Sequence, residues 1–114
     1  MPTDVGDAAA VEHLVRRTLE AFGRVDAALN NATDGPRPAP LAEIDPGEFD
    51  RGVGINVRGT FLGMKFQIPA MPQSGGGAIV NMASLAGVQG FPGLAAYVAG
   101  KAGIVGLTKV AALD

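Results

Sequence analysis

Two short apolar runs, Val25–Leu29 and Ala78–Met82, stand far apart in the chain with a long helical pattern between them. Each reads as a strand, and helical patterns flank both. The alternation helix, strand, helix, strand, helix is that of an α/β fold with a parallel sheet. Val5 to Phe22 is expected as the first helix. Asp7 serves as its N-cap, Val11, Leu14, Val15 and Leu19 form its apolar stripe, and Gly23 stops it. The Pro/Gly/Asp-rich segment from Thr33 to Pro40 is a loop. A second helix is expected from Asp45-Pro46, with proline at its first position, to about Ala70. Ser74-Gly75-Gly76-Gly77 is expected to be a flexible joint. Ala78–Met82 is a continuous apolar run of the kind buried in parallel sheets. Leu85 to Gly93 is a glycine-rich loop, and Leu94 to Leu113 is the last helix.

Chemistry concentrates in that last helix and the loop before it. Tyr97 and Lys101 lie one turn apart on one helix face. An ammonium beside a phenol stabilises the phenolate, and phenols otherwise ionise only near pH 10. Ser84 stands 13 residues before the tyrosine, at the end of the run Gly77-Ala-Ile-Val-Asn-Met-Ala-Ser84. A hydroxyl reaching the same point could hold a substrate oxygen while the tyrosine moves its proton. The three together form an acid/base device for interconverting an alcohol and a carbonyl. In isolation, Tyr-x-x-x-Lys is also the common pattern of a half-buried tyrosine beside a snorkelling lysine. Upstream, Asn30-Asn31-Ala32 ends the first apolar run, and Asn56-Val57-Arg58-Gly59 lies inside the long helical pattern. Ligands of parallel sheets bind beyond the carboxyl ends of the strands, where Asn30, Asn31 and Ser84 fall.

In this order and spacing the blocks resemble the short-chain dehydrogenase/reductase family. The likeness runs from Asp4-Val5 to Leu113 and includes Phe22-Gly23-Arg24-Val25-Asp26 and Gly59-Thr60-Phe61. It implies a Rossmann-type, doubly wound parallel sheet and hydride transfer between NAD or NADP and a carbonyl or secondary alcohol. Tyr97 would be the catalytic acid/base. Lys101 would assist it and hold the nicotinamide ribose. Ser84 would polarise the substrate oxygen, and Asn56 would support a water that relays protons to Lys101. For Asn56 the bland alternative is a helix-interior amide bonded to backbone. Asp4 and Val5 would contact the adenine, and Asn30 and Ala32 would line the adenosine half. Asp and Asn also suit such strand ends without any ligand. Asn31 is expected to tie neighbouring strands together. The Tyr/Lys spacing argues against the enoyl reductase branch, and Asn30-Asn31-Ala32 argues for the compact members over the sugar-nucleotide epimerases. By resemblance, the long middle helix and the Tyr97 helix pack against other subunits, so the full-length protein would be a homo-dimer or tetramer.

Some positions depart from the family. Thr33 stands where glycine is preferred, and Gly100 where a small polar residue is usual. Gly52 and Gly54 each weaken the long helix by roughly 1 kcal/mol relative to alanine. The glycine-rich phosphate turn that opens such sheets has no counterpart, since Gly52-Val53-Gly54 is helical and Gly75–Gly77 precede a strand. The expectation is therefore a single, partial Rossmann-type domain over residues 1–114. Its alternative is a truncated, non-catalytic chain acting at most as an interaction module. The segment that sets the substrate and the residue that chooses NAD over NADP are not among these blocks.

Composition excludes other classes. A net charge of −2 gives no footprint for nucleic acid or an anionic membrane. With no cysteine, thiolate zinc sites and disulfides are excluded. His13 is the only histidine and stands among charged residues, so no metal site is expected. No apolar stretch approaches the roughly 18 residues of a membrane span, and no signal peptide is visible, so a cytoplasmic protein is expected.

Overall fold

The computed structural model describes residues 1–72 and 75–114. Helix α1 spans Ala8–Phe22. Its start is set by Asp7, whose carboxylate accepts the Ala9 N–H at 3.0 Å. Its end is set by Gly23, in the left-handed region at φ 79°, whose N–H reaches the Leu19 carbonyl. Both caps are the residues expected. The helix begins later than Val5 because Asp4 draws that segment into a turn. Its carboxylate takes the Gly6 N–H and its carbonyl takes the Asp7 N–H.

Strands β1 (Ala27–Asn30) and β2 (Ala78–Asn81) form a two-stranded parallel sheet. Ala27 faces Ala78, and Asn30 faces Asn81. Ala28, Asn30, Ile79 and Asn81 are half-buried, whereas Leu29 and Val80 are 60% and 56% exposed. The burial expected for the whole Ala78–Met82 run is thus not seen on Val80 or Met82. Among the described residues, no element covers that side of the strand.

The crossover between the strands is helical from Pro46 to Ala70. Helix α2 (Pro46–Val53) opens on Asp45, which accepts the Gly47 and Glu48 N–H groups, with proline at the first position as expected. The expected single helix is interrupted by a π-helical turn, Gly54–Arg58, before α3 (Gly59–Ala70) continues. There the Gly59 N–H reaches back to the Gly54 carbonyl, and the Thr60 hydroxyl takes the Asn56 carbonyl. Gly75 and Gly76 have φ of 85° and 58°, and Ser74 of the expected joint lies outside the described residues. A short 3₁₀ turn, Leu85–Gly87, follows β2, and α4 (Ala95–Ala111) ends the fold.

Val11 and Val15 of α1, Leu62 and Met64 of α3, and Ala96 and Ile104 of α4 are buried. Helix α4 crosses the α2–α3 rod where side chains are smallest. A Cβ on Gly52 would lie 2.9 Å from the Ala96 Cβ, and one on Gly103 would lie 2.7 Å from Val57 Cγ2. Gly52 therefore has a packing reason that offsets its helix penalty, while nothing lies near Gly54. Among the described residues no helix is long and apolar enough to cross a membrane.

Candidate active site

Lys101 is the least expected occupant of this small interior. It is 3% exposed, on the face of α4 that meets the end of β2. Its Nζ donates to the Met82 carbonyl at 3.0 Å and lies 5.6 Å from the centre of the Tyr97 ring. A buried ammonium needs partners to offset its desolvation, and the carbonyl and the ring face supply part of them. An ammonium has three N–H donors. Met82 accepts one.

Tyr97 is half-buried, one turn before Lys101. Among the described residues its hydroxyl takes no hydrogen-bond partner. Ser84, two residues after Met82, caps the Leu85–Gly87 turn by accepting the Ala86 N–H at 3.1 Å. That bond uses an oxygen lone pair and leaves the hydroxyl proton to be donated elsewhere. The turn is pressed onto α4 near the lysine, since a Cβ on Gly87 would lie 3.0 Å from the Lys101 carbonyl oxygen. The end of β2, the serine turn and the tyrosine helix are thus one assembly.

The asparagines are occupied differently. The Asn30 amide donates to Gln67 Oε1 at 3.1 Å and to Asn81 Oδ1 at 2.8 Å, and accepts from Gln67 Nε2 at 2.8 Å. It joins β1 to β2 and to α3, while Asn31 is exposed. The strand tie expected of Asn31 is therefore made by its neighbour. Alternation along a strand sends adjacent residues to opposite faces, and the pairing of Asn30 with Asn81 decides which asparagine points at the helices. Helix α3 comes close enough for these bonds only because Gly63 lacks a side chain, as a Cβ there would lie 2.5 Å from Asn30 Oδ1.

Asn56 is completely buried in the π-helical turn. Its Nδ2 donates to the carbonyls of Gly52 (2.9 Å) and Asp34 (3.2 Å), and its Oδ1 accepts from Thr33 Oγ1 at 2.8 Å. The backbone bonding of the bland reading is present, joined by a side-chain partner. Gly100, next to Lys101, packs on this residue, and a Cβ there would lie 2.7 Å from the Asn56 Cβ.

Val5, Asn30 and Ala32 line one recess of about 140 Å³, together with Asn31, Gly59 and Gly63. Asp4 is exposed, with one carboxylate oxygen held by Gly6. A larger recess, about 690 Å³, lies between Met64, Ile79 and Thr108 and holds none of the expected site residues. Neither recess is lined by a titratable group, and the smaller is the one that gathers Val5, Asn30 and Ala32. Sequence reasoning missed Gln67 and Asn81 as the partners of Asn30. Each strand ends in asparagine, but only the observed register shows that Asn30 and Asn81 face each other.

Comparison with known proteins points to one family. The family described as short chain dehydrogenase matches residues 1–114. A 2,5-dichloro-2,5-cyclohexadiene-1,4-diol dehydrogenase of Sphingobium indicum is 49% identical over 112 residues, covering 97% of this chain and 45% of the relative. The crystal structure of levodione reductase superposes with a TM-score of 0.94 at 41% identity, over 97% of this chain and 43% of that one. NAD⁺-bound xylitol dehydrogenase gives a TM-score of 0.94 at 39% identity, over 98% and 43%. The chain spans less than half the length of these relatives.

Proposed function

The chain belongs to the short-chain dehydrogenase family, and from that premise we propose that it carries the acid/base centre of an NAD- or NADP-dependent oxidoreductase acting on a secondary alcohol or its ketone. One observation carries the reading. The buried Lys101 ammonium lies 5.6 Å from the Tyr97 ring centre and keeps donors that no described residue uses.

Those unused donors suit the hydroxyls of a nicotinamide ribose, and the Val5, Asn30 and Ala32 recess suits part of the adenosine. The nicotinamide supplies or accepts the hydride when bound. Tyr97 gives its hydroxyl proton to the substrate oxygen during reduction and takes it back during oxidation. Ser84 donates its remaining proton to the same oxygen and fixes where the carbonyl lies. Lys101 holds positive charge beside the phenol oxygen while the proton is away. Asn56 keeps the loop after β1 and helix α4 in register. Assembly into a dimer or tetramer through α3 and α4 fits the exposed Phe61, Ile68 and Val110 on those helices. A cytoplasmic location is part of the same reading.

The test is to mix the protein with NADH or NADPH and a panel of ring and open-chain ketones, and to follow loss of the reduced nicotinamide. The expected result is turnover with one cofactor preferred, abolished by Tyr97→Phe. Absence of cofactor binding and of turnover above the Tyr97→Phe background would overturn the proposal. That outcome would favour the second reading, an interaction module without catalysis, to which the exposed Leu29 and Val80 lend support.

A further inference from the structure

Thr33 departs from the family's glycine, and the structure gives it a partner. Its hydroxyl lies 2.8 Å from Asn56 Oδ1. The direction of that bond is settled by what surrounds the amide. Two carbonyls, of Gly52 and Asp34, face one end, so that end must be the NH₂ group. Oδ1 is then the other end, and it can only accept. The Thr33 hydroxyl is its donor.

Asn56 is 0% exposed, so an unpaired Oδ1 would have no water to turn to. Asn56 in turn touches α4 at Gly100, one residue before Lys101. The chain of contact therefore runs from the loop after β1, through a buried amide, to the turn of α4 that carries the lysine. A second link holds the same loop. Arg51 Nη2 stands 3.2 Å from Asp34 Oδ2, close enough for an ion pair but off the line of a hydrogen bond. Arg51 is largely exposed, so that link is weak. The hydroxyl bond is part-buried: Thr33 is itself exposed, and the amide it reaches is not.

We propose that Thr33 is a positioning residue: by donating to Asn56 Oδ1 it fixes the amide that sets the spacing between the Asn30–Ala32 wall and the Lys101 turn. The inference rests on the proposed oxidoreductase reading for its effect on rate, and on geometry alone for the bond. Thr33 touches neither Tyr97 nor Lys101, so it acts through Asn56.

Thr33→Val keeps the shape and removes the donor, whereas Thr33→Ser keeps the donor. The valine variant is expected to lose about tenfold in kcat with the alcohol KM within about twofold, and serine to restore it. In an Asn56→Ala background the valine change should alter kcat by less than about twofold, because the partner it acts through is gone. Full kcat in Thr33→Val, or an equal loss with and without Asn56, overturns the proposal. A readout independent of turnover is the exchange of the Asn56 side-chain amide protons with solvent, followed by NMR. Slow exchange in the parent and in Thr33→Ser, with faster exchange in Thr33→Val, is the expected pattern. Equal exchange in all three overturns the bond. If the parent shows no turnover, the oxidoreductase reading fails by itself and the amide signals still decide the role of Thr33.

Discussion

The two sides of the candidate site treat their polar groups in opposite ways. On the side of Asn30 and Asn56, both amides are consumed inside the protein. Asn30 is bonded to Gln67 and Asn81, and Asn56 to Thr33, Asp34 and Gly52. On the side of Tyr97 and Lys101, the tyrosine hydroxyl has no partner among the described residues and the ammonium has one carbonyl. Ser84 keeps its proton. A buried ammonium such as Lys101 is rarely left with spare donors without a use for them. The difference separates residues that build the frame from residues held ready for something that arrives from outside. All five residues belong to the set that the family resemblance singles out, so membership in that set does not say which job a residue has.

The largest effect should come from the ready side. Lys101→Met keeps the length of the side chain and removes the charge, and kcat/KM is expected to fall by roughly 10²–10⁴-fold. Steady-state kinetics at a fixed pH checks it, and a loss below about tenfold would blur the contrast between the two sides. The next effect belongs to the frame. Asn30→Ala strands the half-buried amides of Gln67 and Asn81, at a cost of about 1–2 kcal/mol in stability. Urea unfolding should show the loss, and kcat per folded molecule at saturating cofactor should change little. A catalytic defect without destabilisation would move Asn30 to the other side of the comparison. Smallest is Asp7→Ala, at the start of α1, where the carboxylate bonds only the helix's own backbone. It loses one N-cap bond, about 1 kcal/mol, with no effect on turnover. Any rate change there would mean that stability and catalysis are not separable in this molecule.

What could be read in advance divides along physical lines. Asp7, Gly23 and the Asp45-Pro46 start are decided by bonds within a few residues, and each stands where the sequence places it. The parallel sheet also follows from the order of elements. The π-helical turn at Gly54–Arg58 was not legible, because Asn56 and Val57 within it are positioned by Gly100 and Gly103 of α4, far away in sequence. The exchange of tasks between Asn30 and Asn31 has the same origin. Either could face the helices until the register with Asn81 is known. Thr33 looked like a loss of glycine and is the donor to a buried amide. Within the site, Tyr97, Lys101 and Ser84 were legible because two of them share a helix face and the third ends an apolar run. The partners that hold them, Met82 O and Ala86 N, are backbone groups and carry no side-chain signature.

The most direct test compares the stability and the rate of one variant, Tyr97→Phe. It deletes a hydroxyl that no described residue uses, so the urea unfolding free energy should stay within about 0.5 kcal/mol of the parent. Turnover should fall by at least about a hundredfold in the same sample. Loss of stability with turnover per folded molecule retained would mean that the hydroxyl belongs to the frame, and the division between the two sides of the site would be wrong.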